Sequence, residues 1–212
     1  MLIHGLFLLF LKKNNLNKII FFLLSILSIA LMSCNQKQEV IANYSLFESK
    51  VYLKMDLRNK LTYLDSVYTF SNLLKNDSLN RNFLFNLSTE YYYLNAYKKS
   101  FKVCKNLLEM SIQAKDTIDI AKSYQYLGDC YYTTKRDSAY YYYQRAEKLY
   151  RLKGNYEKVA KIMFLKAYML YYEGNFLDSE IMVSDALQLL KKSNDTELIY
   201  TAYTLLGSNF EK

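Results

Sequence analysis

Three thiols and a single imidazole decide most of the chemistry open to this chain. The imidazole, His4, precedes Cys34, and no histidine follows it. Beyond Cys34, therefore, no Ser-His-Asp or Cys-His nucleophile and no histidine-built metal site can be assembled. Carboxylates are present, but none stands in a recognisable acid–base frame. We expect no catalytic residues, no cofactor and no metal. Cys104 and Cys130 fall in neighbouring predicted helices, and a disulfide would need their α-carbons within about 7 Å. Cysteine is also a common small buried residue, and the expectation is two free buried thiols. Cys34 differs in its setting. It closes an apolar run, with Ser33 before it and Asn35-Gln36-Lys37-Gln38 after it. A thiol in that position is a nucleophile able to carry lipid, and each buried methylene of an acyl chain adds about 0.8 kcal/mol of membrane affinity.

The elements around Cys34 suit that chemistry. Residues 2–11 are apolar but too short to cross a bilayer, which takes about 20 residues. A basic stretch with Lys12, Lys13 and Lys18 follows, then the apolar run 19–32. A basic region, a short apolar run and a small residue before a cleavage point describe a secretory signal. Residues 1–33 read as a signal peptide whose working basic region begins at Lys12, with 2–11 as an upstream extension of a misassigned start. Leu31-Met32-Ser33-Cys34 resembles the lipobox of bacterial lipoproteins, and residues 34–43 resemble their polar tether. Met32 is bulkier than that pattern favours. The resemblance implies lipidation at Cys34 and a membrane-anchored place in the bacterial envelope. An uncleaved anchor helix, which would hold the protein at the inner membrane, is the alternative.

The rest of the chain must form what is anchored. Pro is absent and Gly numbers 5, against 23 Tyr. Pro and Gly punctuate turns, so a chain of 212 residues nearly without them is easiest to build from helices with short links. The formal charge is +8, of which +5 lies beyond Cys34. Basic residues alternate with acids and tyrosines, with no block of like charge. That describes a solvated surface, and no nucleic-acid partner is expected.

One period governs residues 81–212. Leu84, Tyr124, Met163 and Tyr203 are spaced by 40, 39 and 40, as are Ser88, Gly128, Ala167 and Gly207. Ser100, Ala139 and Ser179 keep the step, as do Cys104, Tyr143 and Val183, then Leu107, Ala146 and Ala186, then Met110, Leu149 and Leu189. Within each unit the apolar spacing is helical. First helices are predicted near 81–94, 117–133, 156–173 and from 196, and second helices near 97–113, 137–151 and 176–192. Asp116 and Asp195 precede Thr in register and are predicted helix caps. The fold class is all-α, a solenoid of antiparallel helical hairpins. Residues 44–80 read as a degenerate leading hairpin.

These hairpins resemble tetratricopeptide repeats. Residues 123–132 with 138–149 form the clearest unit, and 167–189 the next, turning at Gly174-Asn175-Phe176. Gly128, Ala167 and Gly207 would let a partner helix pack close. The chain departs from the family in a period near 40 rather than 34, in lacking the closing Pro, and in Lys166, which takes the slot of Leu87, Leu127 and Leu206. The resemblance implies a concave groove lined by first helices, here Phe85, Thr89 and Tyr92, then Gln125, Asp129 and Tyr132, then Phe164, Tyr168 and Tyr171. Such a wall suits an extended peptide. The expected function is a non-catalytic interaction scaffold with a protein or peptide partner. The last repeat is incomplete, so the alternative is the sensory input region of a longer signal-transduction protein. Glycan binding by the aromatic wall is a third reading.

Overall fold

The computed structural model describes residues 50–191 and 195–210. Cys34, the run 19–32 and the tether lie outside them. Among the described residues no helix is long and apolar enough to cross a membrane.

The chain divides into Met1–Asp56 and Leu57–Lys212. In the first unit the described structure is a short helix, α1 (Lys50–Lys54). The described residues of the second unit form α2 (Leu57–Ser71), α3 (Ser78–Tyr93), α4 (Tyr97–Gln113), α5 (Thr117–Tyr131), α6 (Arg136–Leu152), α7 (Tyr156–Tyr172), α8 (Phe176–Leu189) and α9 (Thr196–Phe210), with short joints between them. The leading hairpin expected over 44–80 falls across the boundary of the two units, and its described helices are α1 in the first and α2 in the second.

From α2 onward each helix packs on its neighbours in sequence, and first helices also touch across units, α3 on α5 and α7 on α9. This is an all-α solenoid. First helices α3, α5, α7 and α9 make one layer; second helices α4, α6 and α8 make the other.

The joints explain how a chain this poor in Gly and Pro turns so often. Asn95, Lys115, Gly154 and Gly174 adopt positive φ, at 57°, 55°, 67° and 81°. Each lies two residues past a helix end. The amide after each bonds back to the helix: Ala96 N–H to Tyr91 O at 2.8 Å, Asp116 to Ser111 at 3.0 Å, Asn155 to Tyr150 at 3.0 Å and Asn175 to Leu170 at 2.9 Å. That is a Schellman closure, which needs one left-handed residue and no Pro. The closing residue is then the N-cap of the next helix. Asp116 accepts from the amides of Ile118 and Asp119, both at 3.2 Å, and Asn155 accepts from Lys158 at 3.2 Å. Joints of three residues therefore serve both inside and between hairpins, and the long period resides in the helices.

The core follows the repeat. On the second helices Ser100, Ala139 and Ser179, then Cys104, Tyr143 and Val183, then Leu107, Ala146 and Ala186, are all buried. The stripe continues one residue later than expected. Ser111, Tyr150 and Leu190 are buried, whereas Met110, Leu149 and Leu189 are only partly covered. On the first helices Ser88, Gly128 and Ala167 are buried, but Gly207 and Tyr203 on α9 are exposed. A Cβ on Gly128 would stand 2.5 Å from Tyr143 Cε1, so the missing side chain is the seat of that ring. A Cβ on Gly207 would meet nothing within 4 Å, and the close approach expected there does not occur among the described residues.

Lys166 departs from the repeat for a reason that lies on α6. It is 7% exposed, and its Nζ donates to Glu147 Oε2 at 2.9 Å. Arg151 binds the other carboxylate oxygen of Glu147 at 2.7 Å, and Tyr140 lies with its ring centre 4.8 Å from Lys166 Nζ. Burial alone would raise the Glu147 carboxyl, but hydrogen bonds and charge from Lys166 and Arg151 hold it below its ordinary value. At the equivalent positions one unit earlier stand Leu108 and Leu127, which belong to one hydrophobic cluster. In the next unit Leu187 and Leu206 both join the same core. Both sides of this contact change character together, as burial of a charge requires.

Candidate functional site

The first-helix layer forms a cleft of about 240 Å³ lined by Thr89, Tyr92 and Tyr93 of α3, Ser100 of α4, Gln125, Tyr126 and Asp129 of α5, and Lys161 and Leu165 of α7. Side chains from three successive hairpins converge there because the register of the repeat places equivalent helix turns side by side. A second hollow of about 270 Å³ adjoins it, sharing Lys161 and Leu165 and adding Phe164 and Tyr168 with the first turns of α9.

Asp129 is the chemical centre of the cleft. Its Oδ1 accepts from the Tyr143 hydroxyl at 2.7 Å. That hydroxyl reaches Asp129 because the Tyr143 ring lies over Gly128. Burial raises the Asp129 carboxyl to about 6, opposed by the Tyr143 hydrogen bond and the nearby charge of Lys161. Among the described residues no cation forms an ion pair with it. Burial also raises the phenols of Tyr92, Tyr126, Tyr132 and Tyr168, which remain hydrogen-bond donors at neutral pH. Thr89 Oγ1 lies 3.4 Å from the Tyr126 hydroxyl, and Gln125 Oε1 accepts from Tyr150 at 3.3 Å.

The nine residues expected in the groove are distributed unequally. Thr89, Tyr92, Gln125 and Asp129 share the central cleft, and Phe164 and Tyr168 share the adjoining one. Tyr132 is half-buried and electrostatically close to Tyr92, Tyr168 and Tyr172. Phe85 is fully buried, covered by the Tyr126 ring at 5.4 Å and by Lys122, whose Nζ lies 4.0 Å from the Phe85 ring centre. It supports the cleft from beneath instead of facing it. Tyr171 turns to the hairpin joint and packs edge-on against Phe176 at 5.4 Å. Tyr93, Tyr126, Lys161 and Leu165 belong to the cleft and were not singled out in the sequence. They lie one turn or one residue from the expected positions, and a wider helical face, i, i+3 and i+4, would have included them.

Cys104 and Cys130 are free and buried, as expected. Both join a hydroxyl cluster: Ser88 Oγ lies 2.9 Å from Cys104 Sγ, and Cys130 Sγ lies 3.3 Å from Ser100 Oγ. Burial pushes the Cys104 thiol well up. Among the described residues no group of His, Cys, Asp and Glu could hold a metal ion.

Arg81 forms another polar centre, 4% exposed, at the edge of the layer. Its guanidinium donates to Asp119 at 2.7 Å, Asp116 at 3.0 Å and Asn76 at 3.2 Å. It ties the start of α3 to the first turn of α5 and has no free donor face comparable to the open side of Asp129.

No family model matches the chain, and no curated protein matches it. Among solved structures it is similar to the crystal structure of BtubC (BKLC) from P. vanneervenii, at 15% identity and a TM-score of 0.64, over 82% of this chain and 71% of that one. The helical layers described above are what that likeness supports.

Proposed function

We propose that this protein is a non-catalytic docking scaffold of tetratricopeptide type, held at the bacterial envelope by lipid on Cys34, which binds a peptide segment along its first-helix layer. The observation that carries the reading is the cleft shared by α3, α5 and α7, where phenols, an amide, a hydroxyl and a carboxyl line one continuous surface. Aromatic rings with polar tips offer contact area at low conformational cost. An extended ligand crossing three hairpins would meet equivalent positions in succession, the usual way a solenoid reads a chain.

A photo-reactive residue placed at Tyr132, beside the cleft, tests the docking face. The control position is Leu177 on α8, 69% exposed. A defined adduct should form at Tyr132 and not at Leu177; equal labelling at both sites refutes a preferred face. Metabolic labelling with palmitate tests the anchor. Label should be present in wild type and lost in Cys34→Ala, and an unlabelled wild type refutes lipidation.

A further inference from the structure

We propose that the cleft between α3, α5 and α7 receives one cationic side chain, a lysine or arginine of an extended peptide, with its charged head against Asp129. This rests on the peptide-docking reading and adds what the central pocket selects.

Three observations carry it. First, Asp129 is half used. Tyr143 donates to Oδ1, while among the described residues no donor reaches Oδ2, and the carboxyl lines an open cleft. A carboxylate withdrawn from water needs a donor or a counter-charge. Second, the walls suit a cation. Tyr92, Tyr93 and Tyr126 line the cleft that Asp129 enters, and Thr89 adds a hydroxyl. Aromatic faces attract ammonium and guanidinium groups. Third, the size is that of a side chain. About 240 Å³ falls below the ~300–1,000 Å³ typical of pockets that enclose a whole small ligand. An anionic group would meet Asp129 unfavourably, and an apolar one would leave the carboxylate unpaired.

Lys161 sharpens the inference. It lines the same cleft, is exposed, and does not close to an ion pair with Asp129. It is therefore a rim charge that partly compensates Asp129 in the free protein and competes with an incoming cation. The other titratable groups facing Asp129 are Tyr92, Tyr126, Tyr143 and Tyr150, with Cys104 and Cys130 nearby. Burial raises all four phenols, leaving Asp129 as the group that changes charge near pH 6.

The experiment uses short Gly/Ser peptides with one central Lys, Arg, norleucine or Glu, titrated into the full chain while tyrosine-ring resonances are followed by NMR. Lys and Arg peptides should shift the cleft tyrosines and bind roughly tenfold tighter than the norleucine or Glu peptides, as a charge-assisted hydrogen bond allows. Asp129→Asn, which still accepts from Tyr143, should abolish that preference. Lys161→Met should strengthen Lys-peptide binding, and acidification from ~7.5 to ~5 should weaken it. Binding of the Glu or norleucine peptide as tight as that of the Lys peptide overturns the cation pocket while leaving peptide docking intact. An undiminished preference in Asp129→Asn does the same. Failure of every peptide to shift the cleft overturns both. Circular dichroism of each variant checks that the helices are retained.

Discussion

The Glu147–Lys166 contact contains its own control, because neighbouring repeats carry leucines at both positions, each pair within one hydrophobic cluster. Consider Lys166→Leu, Glu147→Leu and the double variant. Glu147→Leu leaves a buried ammonium facing only the Tyr140 ring at 4.8 Å and should cost about 3–5 kcal/mol, the usual penalty for orphaning a buried charge. Lys166→Leu is milder. The Glu147 side chain, 15% exposed, keeps the Arg151 bridge at 2.7 Å, and a cost of about 1–3 kcal/mol is expected. The double variant recreates the Leu108–Leu127 arrangement. Replacing a buried ion pair by apolar residues of similar volume is often neutral or stabilising by about 1–4 kcal/mol. The pair should therefore show a strongly favourable coupling, with the double variant at or above wild-type stability. Urea denaturation of the four proteins with a shared m-value measures it. If the double variant is destabilised by the sum of the singles, repeat register does not govern this contact and the account of Lys166 is wrong.

Other expectations follow from the same packing. Asp129→Asn should raise stability at neutral pH, by up to about 3 kcal/mol, because the folded carboxyl is raised from 3.8 to about 6. The folded state holds the proton more tightly, so wild-type stability falls as pH rises between those values; urea melts should show the gap between the two proteins close below about pH 4, and a constant gap counts against burial as the cause. Gly128→Ala should lose about 1–3 kcal/mol despite the better helix propensity of Ala, because the new Cβ meets Tyr143 Cε1 at 2.5 Å; thermal unfolding checks it, and a stabilised variant refutes the seat. Lys115→Gly should gain about 0.5–1 kcal/mol by relieving the left-handed conformation at φ 55°, again read by urea melts.

The helices and their order were legible because 39- and 40-residue steps and helical spacing reinforce each other over three hairpins and the helix that follows them. Asp116 and Asp195 marked their starts correctly, each accepting from amides in the following turn. The start of α3 at Ser78 was missed by three residues, although Asp77 caps it by accepting from Asn80 at 2.9 Å. The signal was a single Asp-Ser pair without the Thr that follows Asp116 and Asp195. Lys115 gave no turn signal, since its left-handed geometry comes from the helix closure and not from the residue type, whereas Asn95 is of a type that tolerates that geometry. Lys166 stood out as a departure, but its partner lies 19 residues away on another helix, a separation that no local periodicity reports. The cleft was legible in part. Position on a helical face placed Thr89, Tyr92, Gln125 and Asp129 together, but it could not tell that Lys122 and Tyr126 fold over Phe85, or that Tyr171 leans toward Phe176. Those outcomes depend on side-chain reach between neighbouring helices.

The three-residue joints at 94–96, 114–116, 153–155 and 173–175 have a bearing on how such a chain changes length. Excising residues 117–155, from the start of α5 to the start of α7, would lead the Asp116 closure straight into α7 in place of the Asn155 closure, with the Schellman geometry and an Asp or Asn cap both kept. Neither edge of the excision would expose an amide that the original sequence had satisfied. Loss of that helix pair is thus nearly silent for the local backbone, and its cost is confined to the side chains of the two newly adjoining faces.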